Sequence, residues 1–125
     1  MARPKRRRSR NKYGAKPEYV NGHRFASGRE ANRYRQLLLM ETAGEIADLE
    51  LQPKFPFEIN GRPVLIKSAG YPNGRRASYT ADFKYRDRKH GWRDTVEDAK
   101  GADTSASRLR RAIVAAQYGV EIVLI

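Results

Sequence analysis

Residues 78–100 read SYTADFKYRDRKHGWRDTVEDAK, two short runs of alternating character joined by a polar turn. In the first run, Ser78 to Tyr85, a strand puts Tyr79, Ala81, Phe83 and Tyr85 on one side and Thr80, Asp82 and Lys84 on the other. Aromatic side chains take the core, so Asp82 is expected on the opposite, polar face. In the second run, ending at Lys100, Val96, Asp98 and Lys100 share a face while Glu97 and Ala99 share the other. The turn through Lys89-His90-Gly91 makes the runs antiparallel neighbours. Asp82 is thereby expected to come near Asp98 and Lys100.

Beyond Gly101 the period changes. A helix is predicted from about Ser105 to Tyr118, with Leu109, Ala112, Ile113 and Ala116 as its apolar stripe and Gly119 just past its end. The closing EIVLI is a continuous apolar run, the mark of a strand buried on both faces. A strand–helix–strand succession implies a right-handed crossover and a parallel pair.

Upstream, Ser27 followed by Glu30 is a capping-box pattern, opening a helix to about Thr42 that stops at Gly44. Ala31, Tyr34, Leu37 and Leu38 form its apolar stripe. Residues 49–59 (LELQPKFPFEI), Asn60-Gly61 and RPVLIKS then read as a hairpin. Pro53 and Pro56 put its first strand at a sheet edge or break it with a bulge. Pro72-Asn73-Gly74-Arg75-Arg76 reads as a loop. The resulting order, α-β-β-β-α-β, describes one mixed α/β domain.

Charge separates the chain into two parts. Lys and Arg number 26 against 14 Asp and Glu among 125 residues, a net of +12. Such a surplus predicts a polyanionic partner. Eight of the cations, with no acid, fall within residues 1–16. Residues 1–20 are therefore expected to be a disordered basic arm, in which Arg6, Arg7, Arg8, Arg10 and Lys12 contact nucleic acid. A solubilising tail or a localisation signal is the plainer reading of the same stretch. Residues 21–125 are expected to be the folded domain. The absence of cysteine excludes disulfides, thiolate metal sites and cysteine nucleophiles, and His23 and His90 sit in no metal-ligand spacing. No apolar run approaches the ~18 residues of a membrane helix, and the start lacks a secretory apolar region. A soluble, cytoplasmic protein with no membrane partner is expected.

Two carboxylates converging on one point repel each other and favour a divalent cation between them. A lysine alongside can orient water or stabilise an oxyanion. Asp82, Asp98 and Lys100 thus form a set suited to metal-assisted phosphodiester hydrolysis. The alternative is an ordinary solvated strand face with an exposed ion pair of little energetic weight. Glu30 also has two readings: a side chain that reaches back to the helix start, or a core-facing carboxylate that needs a cation. Arg108, Arg110 and Arg111 flank the strand end, with Arg108 and Arg111 taken as phosphate contacts. Arg75 and Arg76 are candidate nucleic-acid contacts at the tip of the 70–76 loop.

The segments FASGREANRYRQLLLMETAGEIADLELQPKF, YTADFKY and VEDAKG together resemble the PD-(D/E)XK nuclease superfamily, and within it a small phage and prophage family of nuclease-like proteins. The resemblance spans residues 20–125. It implies a restriction-endonuclease-like αβββαβ core with a mixed sheet. Carried over by position, Asp82 is the first metal carboxylate, Asp98 is the acidic residue of the second motif, and Lys100 is its lysine. Glu30 matches the first-helix glutamate of the Holliday junction resolvase-like branch and would be a third metal ligand. Gln117 falls where related nucleases carry a supporting polar residue. Thr80-Ala81 precede Asp82, so the superfamily's proline is missing.

The implied activity is a Mg²⁺-dependent endodeoxyribonuclease, with Mn²⁺ able to substitute, acting on branched DNA such as a Holliday junction as a homodimer. A phage-encoded protein of this kind would work in the cytoplasm of its bacterial host. A non-catalytic, basic nucleic-acid-binding protein is the other reading.

Overall fold

The computed structural model describes residues 16–99 and 103–125, which divide between Gln36 and Leu37 into two compact units. Lys100 and the arm cations Arg6, Arg7, Arg8, Arg10 and Lys12 lie outside the described residues.

In the first unit, β1 (Glu18–Val20) pairs antiparallel with β2 (His23–Phe25). Asn21 and Gly22 both take positive φ, 50° and 79°, the backbone that a tight two-residue hairpin demands. A strand thus already runs from Glu18, inside the stretch assigned from sequence to the arm, because this Asn-Gly pair works as a turn. Phe25 lies tilted against Tyr34, with ring centroids 4.9 Å apart. Helix α1 (Gly28–Thr42) starts where the capping pattern put it, with Ser27 Oγ accepting from Glu30 N at 3.3 Å. The division between the units falls within this helix. Ala31, Tyr34 and Leu37 are buried, as the stripe predicted.

The second unit is built on a four-stranded sheet in the order β12 (Ile122–Leu124), β11 (Arg93–Asp98), β10 (Phe83–Asp87), β3 (Ile46–Leu51). β10 runs antiparallel to both β3 and β11; β11 and β12 are parallel and joined by α2 (Ser105–Tyr118). The sheet is therefore mixed, and the protein is α/β. Thr104 caps α2, its side chain accepting from Ser107 N, and Gly119 closes the helix at φ 67°.

Between β3 and β10 the chain makes a long excursion. β4 (Lys54–Pro56) pairs with β9 (Ser78–Thr80), β5 (Glu58–Ile59) with β6 (Arg62–Pro63), and β7 (Leu65–Ser68) with β8 (Tyr71–Arg76). Its two ends are pinned together: Gln52 N donates to the Asp82 carbonyl at 2.9 Å and Ala81 N to the Pro53 carbonyl at 3.1 Å. The Asn60-Gly61 turn forms as predicted, but residues 71–76 are a strand rather than a loop. Pro72 sits on a two-stranded ribbon, where a missing amide is tolerated. Phe55, Phe57, Ala77, Tyr79, Ala81, Val96 and Val114 form a buried cluster.

Three further expectations change. The 78–85 run is two strands with different partners, broken at Ala81-Asp82. Val96 packs with Tyr79 and Ala81, whereas Phe83 pairs across from Glu97, one residue out of phase with Val96. Phe83 therefore faces away from Tyr79, and the alternation read from sequence reverses at the break. β12 is the sheet edge, not a strand covered on both faces, and Val123 is 48% exposed. On α2, Leu109 is exposed while Val114 is fully buried, because the helix turns Arg111 inward and rotates the expected stripe. Among the described residues no helix is long and apolar enough to cross a membrane.

Candidate functional site

Asp82 and Asp98 converge where β10 begins and β11 ends. The Asp82 amide donates to the Glu97 carbonyl at 3.1 Å, which fixes the start of β10 against the end of β11. The Asp82 carboxylate then accepts from the Ala99 amide at 2.6 Å, so its Oδ2 meets the backbone directly after Asp98. The break at Ala81-Asp82 makes this possible. A residue leaving a regular ladder can turn its side chain toward a neighbouring backbone instead of standing perpendicular to the sheet.

Asp98 is 2% exposed, and its Oδ2 accepts from the Tyr79 hydroxyl. Burial, and then the hydrogen bond and charge of Asp98, push Tyr79 far above the usual tyrosine range, so it remains a donor at any physiological pH. Arg111, beside Tyr79, opposes that shift and itself pairs with Asp103. Asp103 is held below the usual carboxylate range, chiefly by its hydrogen bond from Arg111, and the same bond raises Arg111. A line of groups thus runs from Asp103 through Arg111 and Tyr79 to Asp98. Arg111 Nη1 is buried and has no hydrogen-bond acceptor among the described residues.

A family model covers residues 10–124, nearly the whole chain. The chain belongs to the family described as a protein of unknown function, DUF1064. No curated protein and no solved structure matches it.

In this DUF1064 chain the sequence-derived residues fall into three groups. Asp82 lies beside the end of β11, its carboxylate on the Ala99 amide, but it sits in the break between β9 and β10 rather than on a strand. Asp98 is buried against Tyr79 rather than on a polar face. Lys100 lies outside the described residues. Glu30 belongs to the first unit, where its amide completes one half of the capping box. Among the described residues no group of three or more His, Asp or Glu side chains converges as a metal site.

The predicted basic contacts are redistributed. Arg108 and Arg111 are both engaged by Asp103. Arg110, between them, forms no ion pair among the described residues and lines a pocket with Lys54, Arg75 and Arg76. Lys54 was not singled out by its sequence context, since only the β4–β9 pairing brings it alongside the β8 arginines. Gln117 holds the β4–β5 junction: its Oε1 accepts from Glu58 N at 3.1 Å and its Nε2 donates to the Pro56 carbonyl at 3.2 Å. Glu97, assigned from sequence only to the other strand face, is 3% exposed and so is a second buried carboxylate beside Asp98.

Proposed function

We propose that the protein is a divalent-metal-dependent endodeoxyribonuclease. The observation that carries this reading is the meeting of Asp82 and Asp98 at adjoining strand ends, with the Asp82 carboxylate on the Ala99 amide. Mg²⁺ is commonly held by one or two carboxylates, with water and substrate phosphate completing its shell, so a pair of hard oxygen ligands suits it. Asp82 and Asp98 would hold Mg²⁺ or Mn²⁺, which when bound would lower the pKa of water and offset the charge developing on phosphorus. Tyr79 orients Asp98 by donating to its Oδ2. The Ala99 amide does the same for Asp82. Lys100 would position the attacking water.

The αβββαβ order of α1, β3, β10, β11, α2 and β12 supports a restriction-endonuclease-like core. A basic domain with a basic arm suits selection by DNA shape, with branched DNA or a Holliday junction as substrate and a homodimer supplying two sites. A phage protein acting in the host cytoplasm fits the same reading. One observation favours a non-catalytic nucleic-acid binder instead: Asp98 is almost fully buried, as a structural carboxylate would be.

The deciding assay compares wild type with Asp98→Asn on linear, single-stranded, flapped and four-way DNA, in Mg²⁺ and in Mn²⁺. Metal-dependent cleavage of at least one substrate is expected, falling about a hundredfold or more in the variant. DNA binding should persist in both. Equal cleavage by the two proteins, or none by either, overturns the nuclease reading.

A further inference from the structure

A pocket of about 310 Å³ opens between β4, the β7–β8 ribbon and α2, lined by Lys54, Phe57, Ile66, Arg75, Arg76 and Arg110 with Ala77 and Ser78. Four cations around one concavity repel one another, and among the described residues only Arg76 has an ion-pair partner, Glu58 at 2.6 Å. Arg75 lies over the Tyr71 ring, 5.6 Å from its centroid. The side chains of Lys54 and Arg110 make no ion pair among the described residues. Among these charges Ile66 lines the pocket and is 44% exposed, while Phe57 and Ala77 are buried against the core.

We propose that this pocket binds single-stranded nucleic acid, with phosphates on Lys54, Arg75 and Arg110 and a base against Ile66. A polyanion offsets the uncompensated charge, but charge alone does not explain an exposed isoleucine among the cations. A duplex presents its phosphates on a convex rim and keeps its bases stacked inside, so it brings no base to that side chain. A single strand can turn a base inward while its backbone follows the cations, the arrangement used by single-strand-binding surfaces. Exposed Tyr71, beneath Arg75 on the same ribbon, extends that surface with a further aromatic face. The site shares no residue with the Asp82–Asp98 pair. It rests on the nucleic-acid part of the proposed function and does not require cleavage.

The test measures fluorescence anisotropy of a short labelled oligothymidylate on the full chain, in EDTA so that no cleavage occurs. Wild type is compared with a Lys54→Gln/Arg75→Gln/Arg110→Gln variant and with Ile66→Ser, with circular dichroism confirming that each folds. Losing three single-strand phosphate contacts should flatten the salt dependence by about 2 units of slope, at ~0.7 per contact. Raising salt fourfold should then cost wild type roughly twentyfold more affinity than the triple variant. Ile66→Ser should weaken oligothymidylate several-fold but leave an abasic oligomer of equal length unaffected. An unchanged slope in the triple variant, equal competition by polyglutamate, or an equal effect of Ile66→Ser on both oligomers each overturns the proposal. Because binding is read without metal, its failure leaves cleavage to be judged separately, and an inactive wild type that binds through these residues would refute only the nuclease.

Discussion

Replacing Tyr79 with phenylalanine deletes one oxygen and tests the contact that fixes Asp98. The ring stays in the buried cluster with Phe55, Ala81 and Val96, so packing is almost preserved. What is lost is a hydrogen bond to a carboxylate with almost no access to water. Hydrogen bonds to charged groups contribute about 1.5–3 kcal/mol, which puts the expected destabilisation at about 2 kcal/mol. For a chain of this length the melting temperature should drop by roughly 6–10 °C. In urea the midpoint should fall while the slope m stays constant, since the surface exposed on unfolding does not change.

The pH dependence supplies a second readout. Tyr79 has its folded pKa raised above the unfolded value of 10.0 by burial and by Asp98. The stabilisation is therefore complete below pH 10 and is lost as pH rises toward the folded value, because the unfolded chain ionises first. The gap between wild type and Tyr79→Phe should accordingly be constant through neutral pH and narrow above pH 10. A loss smaller than about 0.5 kcal/mol, within the scatter of neutral surface changes, would refute the claim that the hydroxyl holds the carboxylate.

Gly74→Ala should disrupt the β7–β8 ribbon, since Gly74 has φ +92° and an added Cβ would lie 2.8 Å from the Leu65 Cβ. Amide exchange across residues 65–76 should accelerate while the four-stranded sheet keeps its protection; wild-type exchange in the ribbon would contradict this. Thr104→Ala should cost about 1 kcal/mol through loss of the α2 cap, with Thr104→Ser recovering most of it in thermal melts. Deleting residues 1–16 removes eight cations, so the salt slope of duplex binding should become shallower by about 0.9 for each phosphate they contact. An unaltered slope would mean that the arm does not touch DNA.

Local chemistry made some features legible from sequence and topology concealed others. Both helices are punctuated by residues whose roles depend on immediate neighbours: Ser27 at the start of α1, Gly44 after it, and Gly119 closing α2. The β10–β11 pairing and the parallel β11–β12 pair follow from a short turn and a crossover helix, and both are present. The faces of the 78–85 segment were not legible, because alternation assumes an unbroken strand and the break at Ala81-Asp82 is imposed by two different partners. Arg111 shows the same limit on α2. Its polarity marks it as a surface residue, yet Tyr79 and Asp103 draw it inward and displace Leu109 to solvent. The nearness of Asp82 to the end of β11 was legible because the 88–91 turn sets β10 against β11, but the burial of Asp98 against Tyr79 was not. The basic pocket was not, because Lys54, Arg75 and Arg110 meet only after distant segments assemble.

The excursion between β3 and β10 leaves the sheet and returns to it at one point, sealed by the Gln52–Asp82 and Ala81–Pro53 backbone bonds. Its base carries Phe55, Phe57 and Ala77 into the core, while the apolar side chains nearer its tip, Ile59, Leu65, Ile66 and Tyr71, remain exposed. A segment clamped at its neck behaves thermodynamically as a closed loop, and doubling its length would cost only about 0.6 kcal/mol of closure entropy. The tip is thus an exchangeable cassette. Sequence from Ile59 to Tyr71 can drift, lengthen or be transplanted while Asp82 and Asp98 keep their registration, so the exposed tip can change without disturbing the aspartates at its neck.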